Sequence, residues 1–455
     1  MSAQADGAMI ATEAISLVNC CLPPPVRMTC GAPQASLYLA AALSRAGREV
    51  SVYDTAMDFR PETFTADALY DYLSAIPSRV LGLSLWDSVL PRALAATRRL
   101  KEEQPDRVLI LGGPSASALG ANIMRLFPWV DCLVVGEGET SLPLLLSFVE
   151  SGNLSLDLLP ETVFIRSNGQ IAQGAGKAVR LLSEQIPLPD YSKIDRGRYK
   201  RLEVVTSRGC PRRCSYCSVN VATGELMRQR PLSDLFDEIA GLIGGDEDCI
   251  HILDDNFTID RPRLHTFCEG FRDRFPRNSW SCYARLGDLD PATTDLMTTS
   301  RCCGIYTGVE SVDRATLTSV GKATPAVDPY LQINEIAKSM NVTASFIWGL
   351  PEETMDALHS TLHFIDKLLD IEHVFVNLFQ ISPLSGTRLT HSMRDRLAFN
   401  EDCISGFVFP PFYAPLSEEE ISLIRQYPII FSAFYHDPSD LFLKKQSTIR
   451  TFLGN

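Results

Sequence analysis

The amino-acid sequence predicts an α/β protein with two parallel-sheet domains. Short apolar segments alternate with helical segments over residues 15–150, the pattern of a doubly wound parallel sheet with helices on both faces. A second series of six strand–helix units begins at Leu202 and predicts a partial (β/α)6 barrel over residues 201–390. Residues 151–200 lack this alternation and are predicted to form a proline-stiffened linker. The 455 residues leave room for a short C-terminal extension, residues 391–455.

Apolar periodicity defines the N-terminal domain, residues 1–150. Its strands are expected at residues 15–18, 50–53, 80–84, 108–111 and 132–135, and its first helix, residues 35–46, ends at Gly47. Ligands bind parallel sheets beyond the carboxyl ends of the strands. The residues at those ends, and so the candidates for ligand contact, are Asn19, Ser84, Gly112, Gly113, Gly136 and Glu137.

The barrel is expected to carry its working residues in the same way, after its strands. Those strands are predicted at residues 204–206, 250–253, 280–283, 304–307, 343–348 and 374–378. Two helices between them are predicted at residues 233–243, with Ser233 as N-cap, and 353–369. The candidates after the strands are residues 208–217, Asp254, Asp255, Arg285, Glu310 and residues 349–353.

Composition excludes several classes of protein. A net charge of −13 and the lack of a basic tract argue against a nucleic-acid binder. Thirteen cysteines, an odd number in a long chain, do not suggest a disulfide framework. No signal peptide and no apolar run of membrane-spanning length is visible in the sequence. We therefore expect a cytoplasmic protein.

The most informative motif is a cysteine triplet formed by Cys210, Cys214 and Cys217. At C-x3-C-x2-C spacing, three thiolates can hold three irons of a [4Fe-4S] cluster and leave the fourth iron open. A structural zinc site is the competing interpretation, but zinc takes four ligands, and no Cys or His follows the triplet until Cys249.

Around this triplet the sequence resembles the radical S-adenosylmethionine (SAM) superfamily over about residues 200–390. Tyr216 supplies the aromatic residue before the third cysteine, and further segments follow in order along the chain. The resemblance implies that Asp254-Asp255 contacts the SAM amino group, that Glu310 approaches the ribose or methionine part, and that residues 347–354 pack along the adenine. The SAM contacts it implies are Tyr216, Asp254, Asp255, Arg285, Glu310, Ile347 and Gly349.

The same resemblance implies a chemistry. SAM chelates the open iron, and an electron passed through the cluster cleaves it to methionine and a 5′-deoxyadenosyl radical that takes hydrogen from a substrate. An external electron donor such as flavodoxin or ferredoxin is then a partner. The basic residues Arg208, Arg212 and Arg213 form either a solvated turn or a docking site for that donor.

The N-terminal domain admits two interpretations. A dinucleotide-binding domain needs G-x-G-x-x-G after its first strand, where this chain has CCLPPPV, so that interpretation fails. The proline-rich first loop, Ser84 followed after 27 residues by Gly112-Gly113, and the GEGE segment resemble the cobalamin (B12) domain of B12-binding radical SAM enzymes. That implies cobalamin contacts at Ser84, Gly112, Gly113, Gly136 and Glu137. No histidine precedes His251, so this domain cannot supply a histidine ligand to cobalt. A sheet that has lost B12 binding is the alternative.

Three functions follow from these resemblances. The first is a cobalamin-dependent methyltransferase of the class B type, which methylates an unactivated centre of a small-molecule or natural-product intermediate. The second is a radical rearrangement or cyclisation without methyl transfer. The third is a non-enzymatic B12 or iron–sulfur protein, against which the SAM-contact segments count.

Overall fold

The computed structural model describes residues 14–25, 30–151, 155–178, 180–322 and 327–454, and its core is one mainly parallel sheet and one fully parallel sheet. The first sheet has seven strands in the order β2-β1-β3-β4-β5-β6-β7. Strands β1 to β5 pair in parallel, whereas β6 and β7 are antiparallel. Their bounds are β1 Ile15–Cys20, β2 Val50–Asp54, β3 Val80–Leu85, β4 Val108–Gly112, β5 Cys132–Val134, β6 Val163–Ser167 and β7 Gln170–Gln173.

Helices on both faces bury this sheet, which confirms the predicted doubly wound architecture. The chain crosses from one side to the other between β1 and β3, so a crevice opens beyond the carboxyl ends of these strands. Gly47 ends the first helix in the left-handed region (φ 74°), as predicted, since its missing side chain removes the steric penalty there. The helices are α1 Gln34–Arg45, α2 Thr55–Asp58, α3 Ala66–Ala75, α4 Leu90–Glu103, α5 Gly113–Leu119, α6 Ala121–Leu126 and α7 Ser141–Ser151.

The predicted linker contains more structure than its composition indicated. Residues 163–173 form the β6–β7 hairpin, which extends the first sheet instead of bridging the domains. Val163 and Ile165 are buried in the core of that sheet. The cause is alternation, since apolar side chains at every second position suit one covered face of an edge hairpin. Only residues after about 174 connect the two domains.

The second sheet is six-stranded and fully parallel, in the order β15-β14-β13-β12-β11-β8, and curves into the predicted partial barrel. The first barrel strand ends earlier than predicted, and the chain then forms a two-stranded hairpin, β9 with β10. The bounds are β8 Leu202–Val204, β9 Ser207–Arg208, β10 Arg228–Gln229, β11 Cys249–Ile252, β12 Ser279–Ala284, β13 Cys302–Glu310, β14 Asn341–Trp348 and β15 Val374–Gln380.

Most helices of the second half of the chain cover the outer face of the barrel, whereas those at Val219–Ala222 and Glu418–Gln426 pack against α5 and α4 of the N-terminal domain. The helix predicted to be capped by Ser233 begins at Leu232 after Pro231 and has no side-chain cap, whereas Thr354 caps the helix near residue 355 through its hydroxyl. Their bounds are α8 Val219–Ala222, α9 Leu232–Leu242, α10 Arg261–Arg274, α11 Pro291–Thr299, α12 Arg314–Ser319, α13 Pro329–Ala337, α14 Met355–Leu369, α15 Arg388–Met393, α16 Glu418–Gln426 and α17 Asp440–Phe452.

The C-terminal extension joins both domains. Residues of its first part, including Ile424, Phe431 and Phe434, are buried in the core of the N-terminal sheet, whereas Phe442 and Ile449 of α17 enter the barrel core. No helix in the described ranges combines the length and the apolar character of a membrane span.

A fully buried ion pair fastens the extension to the N-terminal domain. Arg92 on α4 and Glu420 on α16 lie 2.9 Å apart with both side chains 1% exposed, and Arg92 also donates to the carbonyl oxygens of Ala414 and Pro415. Burying two charges is costly, and an excellent geometry is needed to offset that cost. Removal of either partner leaves an uncompensated charge in the core.

We expect the E420A variant to lose about 3–5 kcal/mol of unfolding free energy, because Arg92 stays buried without its carboxylate. Urea denaturation followed by circular dichroism measures the change. The matched control is E419A, the adjacent residue of α16, whose pair with Arg98 is half-exposed and spans 3.7 Å; it should change stability by less than about 1 kcal/mol. Equal effects of the two variants would contradict the role of burial.

Candidate active site

The cysteine triplet occupies the loop between β9 and α8. Gly209 enters this loop at φ 91°, and a β-carbon there would lie 2.4 Å from the carbonyl oxygen of Leu226, so the position requires glycine. Cys217 N–H donates to the Cys214 carbonyl oxygen (3.3 Å) and closes a turn between these cysteines. All three cysteines line one cavity of about 370 Å³ at the carboxyl ends of the barrel strands.

The electrostatics of these thiols suit a cationic group. Burial raises the pKa of Cys210, and burial together with the charge of Cys214 raises the pKa of Cys217 to about 11. Three thiolates in this loop would repel one another and Asp255, which also faces the cavity. Bound iron removes that penalty, because a coordinating thiol is deprotonated by the metal. The donor set therefore fits a cluster.

Five of the predicted SAM contacts surround the same cavity, namely Tyr216, Asp255, Arg285, Glu310 and Ile347. They come from the cysteine loop and from the ends of β11, β12, β13 and β14. The sequence placed them at strand ends, and parallel pairing brings those ends to one rim.

Glu310 is held in an unusual conformation at this rim. Its φ is 66°, in the left-handed region that is costly for a residue with a side chain. Its Oε1 accepts from the Tyr216 hydroxyl at 3.0 Å and from Lys322 Nζ at 2.8 Å. At Gly308 a β-carbon would lie 2.2 Å from that carboxylate, so glycine leaves the space that Glu310 fills. The carboxylate is thus fixed from three sides before any ligand enters.

Two of the predicted contacts lie elsewhere. Asp254 is 1% exposed and does not face the cavity. Its carboxylate accepts hydrogen bonds from Thr206 N–H at 2.6 Å and from the hydroxyls of Thr206 and Ser207, and these bonds connect the end of β11 to the segment after β8. Gly349, at φ 83°, faces Ile381 and Phe442, where a β-carbon would stand 3.1 Å from each. Both residues therefore pack behind the cavity wall and stabilise the strand ends that form it.

Sequence reasoning missed several residues of the cavity wall. Lys322 follows a short helix and carries no motif signal, and Phe407 comes from the C-terminal extension. Aromatic pairs form two parts of the wall: Tyr283 with Tyr306, with ring centroids 5.2 Å apart, and Phe379 with Phe407, 5.5 Å apart. Inward alternation on β12, β13 and β15 could have indicated the first three rings, whereas nothing local indicates Phe407.

A second cavity, of about 600 Å³, lies beyond the carboxyl ends of β1, β3, β4 and β5. All five predicted cobalamin contacts line it: Ser84, Gly112, Gly113, Gly136 and Glu137. Gly113 has φ 86°, and a β-carbon there would stand 2.6 Å from Leu85 N and 2.8 Å from the Ser84 hydroxyl. Glycine at this position therefore lets the turn after β4 pack closely against the end of β3. Gly112, Gly113 and Gly136 leave parts of the cavity wall without side chains, so a large ligand can approach the main chain there. None of the described residues that line the cavity is a histidine, and the set fits a corrinoid that receives no histidine from this domain.

The two cavities meet at Asp255, which lines both. Groups held in the two cavities are therefore neighbours, with one carboxylate between them. Desolvation within the cavity walls, and then the charge of Asp254, raise the pKa of Asp255 to about 6.

The junction is held by an ion-pair network between the domains. The β9–β10 hairpin sets Arg208 opposite Arg228. Arg228 donates to both carboxylate oxygens of Glu137, one at 2.7 Å, and Arg208 reaches Glu139 at 2.7 Å. Although burial opposes ionisation, the bonds from Arg228 and Arg208 lower the pKa of Glu137. Glu137 thus lines the second cavity with its carboxylate already occupied.

Comparison with known proteins agrees with this arrangement. Residues 27–146 match the family model of the B12 binding domain, and residues 204–365 match that of the radical SAM superfamily. The chain is 26% identical to an uncharacterized methyltransferase of Pyrococcus horikoshii over 79% of this chain and 78% of that protein. It is 25% identical to the anaerobic magnesium-protoporphyrin IX monomethyl ester cyclase of Rubrivivax gelatinosus over 71% of this chain and 60% of that protein.

A solved structure shares the fold. The radical SAM methyltransferase TsrM of Kitasatospora setae, solved with tryptophan and a SAM analogue, superposes with a TM-score of 0.67 at 18% identity, over 97% of this chain and 88% of that chain. At this identity the likeness speaks for the architecture alone. The B12 model covers most of the N-terminal residues that line the second cavity, and the radical SAM model covers the cysteine loop and most of the barrel strands around the first. The chain therefore carries a B12 binding domain followed by a radical SAM domain, the combination that the B12-binding radical SAM enzymes have.

Proposed function

We propose that this enzyme methylates an unactivated carbon of a small molecule, with a [4Fe-4S] cluster and SAM in the cavity of the cysteines and cobalamin in the cavity of the N-terminal sheet. The observation that supports this most directly is the position of Asp255 in both cavities. When bound, the cluster and SAM supply a 5′-deoxyadenosyl radical, and cobalamin supplies a methyl group. A substrate at the junction would lie within reach of both.

The residues of the chain then divide the work. Cys210, Cys214 and Cys217 hold the cluster, and Asp255 and Glu310 orient SAM by its amino group and its ribose or methionine part. The aromatic pairs Tyr283–Tyr306 and Phe379–Phe407 shield the cavity from water, so that a reactive species meets only the substrate. Ser84, Gly112 and Gly113 let the corrinoid approach the backbone, while Asn19 lies close by on the same wall.

We also propose an external electron donor and a reducing cytoplasm, where the cluster would persist. Arg213 follows the first cluster cysteine by three residues, and its side chain is 67% exposed, with one carboxylate partner, Glu225. An acidic redox protein such as a flavodoxin would meet this cationic side chain close to the cluster. Electrostatic complementarity of this kind mainly raises the association rate.

Two products separate the proposed steps, and both are measurable without the substrate. In anaerobic assays with dithionite and SAM, we expect 5′-deoxyadenosine from SAM cleavage, and S-adenosylhomocysteine only when cobalamin is added. The G113V variant should lose the second product and keep the first, because its side chain would collide with Leu85 and Ser84 and displace the turn that lines the corrinoid cavity. The C214A variant should stop 5′-deoxyadenosine formation, because the cluster loses one of its three protein ligands. The loss of activity should exceed the about 10–100-fold that follows when only a residue bonded to a metal ligand is removed.

The control for these variants is G241A, whose β-carbon would meet no atom within 4 Å. Iron content and corrinoid absorbance, measured on each protein, report cluster and cobalamin separately. S-adenosylhomocysteine formed equally with and without cobalamin would overturn the proposed methyl route. With the substrate identified, 5′-deoxyadenosine without S-adenosylhomocysteine would indicate the rearrangement instead.

SAM affinity should depend on the ionisation of Asp255. The ionised carboxylate pairs with the SAM ammonium group, so binding should be strong above the pKa of about 6 and weaken as the pH falls through it. Equilibrium dialysis of the reconstituted protein at pH about 7.5 and about 5.5 should show a loss of roughly fourfold, because about a quarter of the carboxylates stay ionised half a unit below the pKa. D255N should bind weakly at both values, whereas D366N, on the exposed face of α14, should behave as the wild type. A pH dependence that survives in D255N would rule out this role.

The docking of an acidic donor can be tested by charge reversal. R213E should slow 5′-deoxyadenosine formation driven by reduced flavodoxin by about tenfold or more, through slower association. The small reductant dithionite needs no docking surface, so the rate it supports should stay unchanged. R272E, an exposed arginine on α10, is the control. Equal slowing with both reductants would mean that R213E damages the cysteine loop itself, and it would contradict a docking role for Arg213.

A further inference from the structure

Two cysteines far apart in sequence, Cys249 and Cys303, bring their Sγ atoms to 3.3 Å. Cys249 begins β11, and Cys303 is the second residue of β13. They lie at the amino ends of the barrel strands, opposite the rim that carries the cluster triplet. Neither takes part in the functions proposed above.

A bulge in the sheet causes this approach. On β12, Trp280 pairs with Cys302 and Ser281 pairs with Gly304, so Cys303 is an extra residue without a partner on that strand. Such an insertion redirects the side chain it carries. On β11, Ile250 and Ile252 are buried against the outer helices, so the alternating Cys249 faces the inside of the barrel. The bulge sends Cys303 toward it across β12.

The surroundings of the pair favour one reactive sulfur. A hydrogen bond from the Cys249 thiol, and then one from Ser279, lower the pKa of Cys303 to about 6, although burial acts against this. The Cys249 pKa is raised far above its ordinary range by the same hydrogen bond and by burial. When protonated, Cys303 can donate to the Trp280 carbonyl oxygen at 3.3 Å. Both residues are half-buried, whereas Cys268, Cys282 and Cys302 are fully buried.

We propose that Cys303 and Cys249 form a redox-active dithiol that exchanges with low-molecular-weight disulfides of the glutathione type. The Cys303 thiolate attacks the disulfide RSSR, forming Cys303–S–SR and releasing RS⁻. The Cys249 thiol gives its proton to that thiolate and attacks Sγ of Cys303, which releases the second RS⁻. The protein loses two electrons to RSSR, which becomes two thiols once the second RS⁻ takes a proton from water. A reactive, accessible thiolate beside a resolving cysteine is the arrangement that redox-sensing sites use.

The bond would connect β11 to β13 across β12. That middle strand carries Tyr283 and leads to Arg285, both in the wall of the cavity with the cluster cysteines. Forming or breaking this disulfide would therefore act on β12, the strand that positions Tyr283 and Arg285 in the wall of the active site. Because the pair itself lies outside that cavity, its chemistry does not depend on cluster, SAM or cobalamin.

Peptide mapping after differential alkylation tests the proposal on the full-length protein. Under argon, oxidised glutathione should produce a linked peptide pair containing Cys249 and Cys303. C249S should accumulate a glutathione adduct on Cys303, because the resolving thiol is missing, and C303S should form no linked pair and leave Cys249 reduced. Buried Cys268 is the internal reference, and Cys303 should react at least about tenfold faster than it does.

The proposal is overturned if the wild type yields no 249–303 linkage, or if Cys303 reacts no faster than Cys268. The wild-type map alone decides this, so a variant that failed to fold would not leave the question open. Mapping reads every cysteine separately, so the result is the same whether or not the cluster triplet holds iron. Failure here leaves the proposed methyl transfer untouched, since that proposal is tested by its two nucleoside products.

Discussion

The ion pairs that join Arg208 and Arg228 to Glu137 and Glu139 set the position of the cysteine loop against the end of the N-terminal sheet. Arg208 stands two residues before Cys210, so the loop cannot shift without disturbing a largely buried network. A buried charge that loses its partner is strongly destabilising, and the network therefore permits one arrangement of the domains. The adjacency of the two cavities at Asp255 is a consequence of that arrangement.

A second contact holds the same junction from the other side. The Asp87 carboxylate, in the loop after β3, accepts from the backbone N–H of Ser385 at 3.0 Å, in the turn after the last barrel strand. The domains are thus tied both at the first and at the last strand of the barrel. Rigid placement of this kind matters for radical chemistry, because a small displacement of reacting atoms costs a large part of the rate.

The parts of this molecule that local patterns specify could be predicted from the sequence. Apolar alternation located the strands, and the triplet, Glu310 and Gly113 stood at their ends, where parallel pairing gathers them. Alternation also distinguishes Asp254 from Asp255, because Asp254 continues the outward-facing positions of Ile250 and Ile252, whereas Asp255 continues the inward-facing ones. Local patterns could not show that Glu137 is paired with Arg228, or that the bulge at Cys303 brings it to Cys249, since both depend on distant chain segments.

The C-terminal extension was also unreadable from the sequence, for the same reason. Ile424, Phe431 and Phe434 fill the core of a domain whose own residues end some 250 positions earlier in the chain. A domain usually completes its core as it leaves the ribosome, the N-terminal one first. Here the first domain must wait, with an incomplete apolar core, until nearly the last residues have been synthesised. The barrel core is completed later still, by Phe442 and Ile449, so neither domain can close its core before synthesis of the chain is almost finished.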